Sequence, residues 1–188
     1  DPEILLGDGA DPLGSFWIVG FVQDLILGNG TAKTTLLYAP KGLDLGLHEG
    51  YAWIDTLLAM PLRALIGSPG FYNLHVLTTL VLGVMVCTLL FRQVVSFPYA
   101  LLSAHLLVCN EFVYQEIAFG RPTQVNWICA ALFAMCVLKL VQNPKRWGMA
   151  LLGGVAFGGY CLTYWFGAAG LGFVMLLVLF YEHIRQRE

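Results

Sequence analysis

Charged residues are scarce in this chain. Only 12% of its 188 residues are Asp, Glu, Lys or Arg, whereas soluble domains carry about 25%. Hydrophobic residues make up 58% of the chain, and the mean hydropathy is +0.72. This composition excludes an ordinary water-soluble domain and predicts an integral membrane protein that is embedded in the lipid bilayer.

A basic excess and paired cysteines are also missing. The net charge is −2, so no strongly basic face points to nucleic acid as a partner. None of the five cysteines has CxxC spacing, and all lie inside apolar stretches. We therefore interpret them as small buried hydrophobic residues rather than as metal ligands or disulfide partners; they are Cys87, Cys109, Cys129, Cys136 and Cys161.

Most of the polar chemistry lies in residues 1–50, which we predict to form an external acidic loop. Asp11-Pro12 is typical of a helix start, and Gly28-Asn29-Gly30 would end that helix after Leu27. Gln23 and Asp24 interrupt an otherwise apolar, aromatic-rich helix that is too short to cross a bilayer comfortably. We expect it to lie along the membrane surface, followed by a loop over residues 29–50.

Residues 51–188 are predicted to form an all-helical transmembrane domain. A short helix over 51–66 carries Asp55, Pro61 and Arg63, so we expect it to enter the membrane without being a plain span. About five clear spans follow, over 71–91, 97–112, 125–140, 147–162 and 168–181. The last two are rich in glycine, which lets helices approach closely, so they are predicted to form a tight antiparallel hairpin around 163–166.

Basic residues predict the orientation of these spans. If the helices alternate, the basic residues that flank them fall on one side, which the positive-inside rule makes cytoplasmic; they are Arg92, Lys139, Lys145, Arg146, Arg185 and Arg187. The C-terminus is then cytoplasmic. The acidic loop, residues 111–124 and the turn at 163–166 meet on the non-cytoplasmic face, and we expect the bacterial inner membrane as the location.

Two histidines lie in consecutive predicted spans, His75 and His105. A haem held between them would need both at one depth, but His75 falls near the external surface and His105 nearer mid-membrane. We therefore predict packing histidines held by hydrogen bonds rather than haem ligands.

Six short segments carry a resemblance to a known family. In order, they are Gly7-Asp8 with Asp11-Pro12; Tyr38-Ala39-Pro40-Lys41-Gly42-Leu43-Asp44-Leu45 with His48; Leu58 to Pro61 leading to Gly67-Ser68-Pro69; Tyr72-Asn73; Gly120-Arg121; and Thr163-Tyr164-Trp165-Phe166. The second segment is similar to a YPxGxDLxxH pattern. Together they resemble the GT-C superfamily of membrane glycosyltransferases, which use polyprenyl-phosphate sugars as donors.

The resemblance implies an inverting sugar transfer outside the cytoplasm. In such enzymes an acidic residue of the first external loop acts as general base on the acceptor hydroxyl or helps to hold a divalent metal ion, and basic residues steady the leaving lipid phosphate. By motif, Asp8 and Asp11 are the catalytic candidates. Arg121 is the first candidate for the phosphate clamp and Lys41 the second. One carboxylate and one cationic clamp are chemically sufficient, because a phosphate leaving group needs little protonation.

Each of these residues also has a plainer interpretation. Asp11 is equally well explained as a helix cap. Asp44 and His48 are metal-ligand candidates, although an ordinary loop turn or a mutual hydrogen bond explains them as well, and a metal would need a third ligand such as Glu49 or Asp8. Arg121 could instead extend to the membrane interface or pair with Glu116.

The chain also departs from the family pattern. Gly120-Arg121 stands where the family has Gly-His, and the usual span before the acidic loop and several later spans are not in this sequence. We expect either part of a longer polypeptide or a reduced relative. Two functions therefore stay open: a glycosyltransferase acting on a lipid-linked sugar, and a non-catalytic transmembrane subunit that packs with other membrane subunits in a larger complex.

Overall fold

The computed structural model describes Leu5, Gly7 and residues 11–34, 40–44 and 53–185, and this part of the chain is almost entirely helical. The all-helical prediction is confirmed. The helices are α1 (Asp11–Ile26), α2 (Trp53–Ile66), α3 (Gly70–Phe91), α4 (Phe97–Val108), α5 (Glu111–Ala118), α6 (Trp127–Gln142), α7 (Trp147–Thr163) and α8 (Trp165–Arg185), with a 3-10 turn over Pro122–Val125 before α6.

Two short strands lie within the region that the sequence predicts to be a loop. β1 (Lys33–Thr34) pairs with β2 (Leu43–Asp44) in antiparallel register, so that Lys33 lies opposite Asp44. The prediction of loop throughout residues 29–50 is therefore wrong for these four residues. Glycine at position 42 permits the turn, because its φ is 73° and a Cβ there would collide with the Thr34 carbonyl oxygen.

Two helical stretches of the described chain are long and apolar enough to cross a membrane, Gly70–Phe91 and Pro122–Gln142. They correspond to the predicted spans over 71–91 and 125–140. The apolar stretches Leu13–Ile26, Phe97–Val108, Trp147–Thr163 and Phe166–Glu182 are shorter. Two of the five predicted spans thus form apolar helices shorter than a full crossing, α4 with 12 residues and α7 with 17, whereas α8 has 21 residues over its whole length.

The predicted span over 97–112 extends beyond the C-terminal end of the helix that the structure shows. Helix α4 stops at Val108, and a separate helix begins at Glu111. Asn110 separates them, since its Oδ1 accepts a hydrogen bond from the Val113 amide at 3.1 Å and its Nδ2 donates to the Leu107 carbonyl at 2.8 Å. An Asn cap that satisfies the free amides of a new helix favours a break at this point.

Helices α3, α4 and α6 pack around one apolar cluster, which contains Cys87, Ala104, Val108 and Ala131. A second cluster joins α1, α2 and the start of α3, where the Phe16 ring lies 5.6 Å from the Phe71 ring. All five cysteines are free. Cys87 and Cys136 are buried as predicted and Cys109 and Cys129 are half-buried, but Cys161 is exposed on α7, so the prediction is wrong for Cys161.

Helices α7 and α8 form the predicted antiparallel pair. Gly167 approaches Tyr160, and five residues later Gly172 lies against Phe157, so the contacts run in opposite chain directions. Two glycines of α7 serve another interface: a Cβ at Gly153 would lie 3.1 Å from Cys136 of α6, and one at Gly159 would lie 3.3 Å from Ile54 of α2. These two allow α7 to pack closely against α6 and α2.

Candidate functional site

A buried polar cluster lies where the N-terminal parts of three helices meet. Asp55 is in the first turn of α2, His75 is in the second turn of α3, and Asn126 is the N-cap of α6. Their exposed fractions are 0%, 1% and 3%. A buried carboxylate is costly unless hydrogen bonds compensate it, and the partial positive charge at helix N-termini further favours an anion here.

Hydrogen bonds of Asp55 connect the three helices. Its Oδ1 accepts a hydrogen bond from Asn126 Nδ2 at 3.0 Å and lies 3.3 Å from His75 Nε2. The other end of the Asn126 side chain accepts a bond from the Ile128 amide at 3.2 Å. His75 is thus a packing histidine with a hydrogen bond, as predicted.

The second carboxylate oxygen of Asp55 has no hydrogen-bond partner among the described residues, although it is buried. The same holds for the Thr79 hydroxyl, one turn beyond His75 on α3, and for the indole nitrogen of Trp127. Full burial keeps the Asp55 carboxylate from contacting a large substrate in this conformation. Its evident role is to hold α2, α3 and α6 together.

Arg121 lies on a segment that is otherwise largely buried. The segment runs from Gly120 to Asn126, and Gly120, Pro122, Val125 and Asn126 are buried while Arg121 is exposed. The Arg121 guanidinium lies 6.0 Å from the centre of the Phe119 ring, within the range of a cation–π contact. Gly120 has a φ of 77°, which favours glycine and turns the chain after α5.

The first helix is attached to this segment. The Ser15 hydroxyl of α1 donates a hydrogen bond to the Gly120 carbonyl oxygen. The adjacent Phe16 ring packs against Phe71 and Tyr72 at the start of α3. The first half of α1, the start of α3 and the Arg121 segment therefore lie together at one end of the helix bundle.

Arg63, in the last turn of α2, joins α2 to the second half of α1. Its Nη1 donates to Asp24 Oδ1 at 3.0 Å, to Gln23 Oε1 at 3.2 Å and to the Gly20 carbonyl at 3.2 Å. This contact explains the two polar residues that interrupt α1, and the polar residue near the end of α2. All three residues stand out in the sequence, but no local pattern pairs them, because the chain separation is about 40 residues.

The structure brings only some of the predicted site residues close together. Asp8 and His48 lie outside the described residues. Asp11 is the first residue of α1, one turn before Ser15, so the helix that it begins is the one attached to the Arg121 segment. Lys41 is exposed in the turn between the two strands, and Asp44 is exposed on β2.

The metal prediction rests on residues of which only one is described. Among residues 11–34, 40–44 and 53–185, no three or more His, Cys, Asp or Glu residues come together in a way that could hold a metal ion. Asp44 alone does not make such a site. Metal binding by Asp44 and His48 therefore stays a prediction.

Sequence reasoning missed Asn126 as a site residue and treated Asp55 only as a break in an apolar helix. Asp55 lies 20 positions from His75 and 71 from Asn126, so no local spacing links them. The available signal was an acidic residue in the first turn of an apolar helix, which needs buried partners.

Comparison of the chain with protein-family models, with curated proteins and with solved structures finds no match.

Proposed function

We propose that the chain is a polytopic membrane protein of the GT-C type, which transfers a sugar from a polyprenyl phosphate to an acceptor at the non-cytoplasmic face. The exposed surface supports the membrane part of this proposal. Leu77, Val81, Met85 and Leu89 recur every four residues on α3, and each is at least half exposed. Such a continuous apolar stripe suits lipid, since soluble monomers rarely expose large apolar patches.

The attachment of α1 to the Arg121 segment carries the catalytic part of the proposal. Asp11 precedes Ser15 by about one helical turn, or roughly 6 Å along the axis, and Ser15 is hydrogen-bonded to the residue before Arg121. A carboxylate candidate and a phosphate-clamp candidate thus belong to segments in direct contact. An exposed guanidinium suits a phosphate, because it offers several donors in a planar fork.

The transfer then needs two groups from this chain. A carboxylate of Asp8 or Asp11 takes the proton of the acceptor hydroxyl, whose oxygen attacks the anomeric carbon of the sugar. The bond between that carbon and the phosphate oxygen breaks, and its electron pair leaves with the polyprenyl phosphate. Arg121, with Lys41 as the second candidate, stabilises the charge on the leaving phosphate. Attack opposite to the leaving group inverts the anomeric centre.

The test is sugar transfer by the full chain in proteoliposomes. The donors are decaprenyl phosphates that carry different hexoses, and a native membrane extract supplies the acceptor. Loss of the general base is expected to lower the transfer rate by about 100-fold or more, so Asp8→Asn or Asp11→Asn should show this loss. Asp24→Asn is the matched control, because Asp24 lies on α1 but contacts Arg63. Unchanged transfer in both variants would remove these residues from the site.

The alternative is a non-catalytic subunit of a membrane complex. Helix α8 favours it, because Phe173, Leu176, Phe180 and Tyr181 are all more than 60% exposed. Aromatic surfaces of this kind suit packing against partner helices as well as lipid. If the wild-type chain transfers no sugar and is extracted from native membranes only together with other membrane proteins, this second function is the correct one.

A further inference from the structure

We propose that Asp55 is a positioning residue for Arg121, acting through Asn126. The inference rests on the proposed role of Arg121 as the clamp for the lipid phosphate. Asp55 is too buried to reach a lipid phosphate itself. What it can determine is where the Arg121 segment lies relative to α2 and α3.

The segment is attached at both ends. At its start, the Gly120 carbonyl accepts the Ser15 hydroxyl of α1. At its end, Asn126 donates to Asp55 of α2 at 3.0 Å. Between these two points lie the 3-10 turn and Arg121, whose exposed side chain contrasts with its buried neighbours Gly120 and Pro122.

Asn126 connects Asp55 to the backbone. Its Nδ2 binds Asp55, while its Oδ1 accepts the Ile128 amide and so caps α6. An Asn cap without a partner for its Nδ2 could rotate, because the cap bond alone fixes only one end of the amide. Asp55 holds the amide in one orientation, and the start of α6 is thereby held against α2.

His75 completes the arrangement. It lies 3.3 Å from the same Asp55 oxygen, so α3 contributes to the orientation of the carboxylate. Both contacts of the carboxyl group, with His75 and with Asn126, are made by this one oxygen, whereas its second oxygen has no partner among the described residues.

The first test is hydrogen exchange of the full chain in nanodiscs, followed in peptides that cover residues 120–128. In Asp55→Leu, which keeps the branched shape of the side chain but is larger and has no acceptor, the Ile128 amide is expected to exchange roughly tenfold faster or more. Thr88→Val is the control, because it removes the buried bond from the Thr88 hydroxyl to the Val84 carbonyl at the other end of α3. It should leave residues 120–128 unchanged.

A rescue variant separates positioning from a general loss of packing. The double variant Asp55→Asn, Asn126→Asp keeps an amide–carboxylate bond between the two positions and keeps a good cap for α6. Slow exchange of the Ile128 amide should return in it. Unchanged exchange in Asp55→Leu, or fast exchange that the double variant does not slow, would overturn the proposal.

The second test is the affinity for decaprenyl phosphate, with decaprenol as the phosphate-free probe. Asp55→Leu is expected to weaken binding of the phosphate by roughly tenfold when Arg121 is present and by less than about twofold in an Arg121→Gln background. Equal losses in both backgrounds would mean that Asp55 is purely structural, and would overturn the proposal.

These measurements also separate the two proposals. If the wild-type chain binds decaprenyl phosphate no better than decaprenol, the proposed clamp fails and the functional claim for Asp55 fails with it. The exchange data then still decide whether Asp55 fixes the Arg121 segment.

Discussion

Two arginines occupy similar local settings but are held very differently. The Arg92 guanidinium lies 5.7 Å from the Phe97 ring centre, and that of Arg121 lies 6.0 Å from the Phe119 ring centre. The backbone amides of both arginines bond to the preceding helix, that of Arg92 to the Thr88 carbonyl and that of Arg121 to the Glu116 carbonyl, and among the described residues the amides of residues 93–95 bond to α3 as well. The Arg121 segment is also tied to α1 and α2.

This difference fits two distinct roles for a basic side chain. A long basic side chain at the end of a membrane helix can extend to the interface without support from distant helices, and in the proposed membrane orientation Arg92 would have this role. A clamp for a leaving group has to be held in place, because small displacements are costly for catalysis. Anchoring to distant helices is therefore what we would expect of Arg121 but not of Arg92.

The largest expected effect comes from removing the Asp55 anchor. Asp55→Leu leaves the buried Asn126 and His75 groups without their acceptor, so the free energy of unfolding should fall by about 2–5 kcal/mol. Thr88→Val near the Arg92 end should cost only about 1 kcal/mol. Thermal unfolding in detergent measures the loss of stability in both variants. Equal losses would mean that the Arg121 segment is held no more firmly than the Arg92 end of α3.

A smaller loss of stability is expected at Gly159, where α7 packs beside Asp55 through an apolar contact with Ile54. A Cβ at Gly159 would lie 3.3 Å from Ile54, the residue before Asp55, whereas none of the described atoms lies within 4 Å of a Cβ at Gly158. Gly159→Ala should therefore lower the free energy of unfolding by roughly 1–3 kcal/mol. Gly158→Ala should be neutral or slightly stabilising, since alanine favours helix.

The two glycines also offer a further check. If the crowding at Gly159 displaces the first turn of α2, Gly159→Ala should speed exchange of the Ile128 amide as well. Faster exchange in Gly158→Ala would contradict this explanation.

The smallest expected effect is at the other attachment point. Ser15→Ala removes the hydroxyl that binds the Gly120 carbonyl and should lower the free energy of unfolding by about 1 kcal/mol. Ser103→Ala, at an exposed position on α4, should change it by less than about 0.5 kcal/mol. A loss at Ser103 that matched the loss at Ser15 would argue against a specific role for the bond to Gly120.

The sequence predicted the helices well where apolar composition alone determines them. The predicted span over 71–91 differs from α3 by one residue, because a long apolar run ending at Arg92 leaves few alternatives. It failed at Val108, where the Asn110 cap breaks a stretch that looks continuous by hydropathy. It also missed the hairpin of β1 and β2, which is too short to show a period.

The site was less predictable than the fold. Asp11 and Arg121 were selected by motif, but the Ser15–Gly120 bond that relates their segments joins residues 105 positions apart. The contacts of Asp55 with His75 and Asn126 depend on how α2, α3 and α6 pack. Local spacing contains no information on such contacts, whereas a lone acidic residue in an apolar helix does indicate that partners exist.

The most direct measurement of the central claim is the binding of decaprenyl phosphate to the full chain in nanodiscs, with Arg121→Gln compared against Arg92→Gln. We predict that Arg121→Gln weakens binding by roughly 10- to 100-fold, as expected for a lost charge-assisted hydrogen bond, while Arg92→Gln changes it by less than about threefold and decaprenol binding is unaffected by either. Equal effects of the two substitutions would contradict the account.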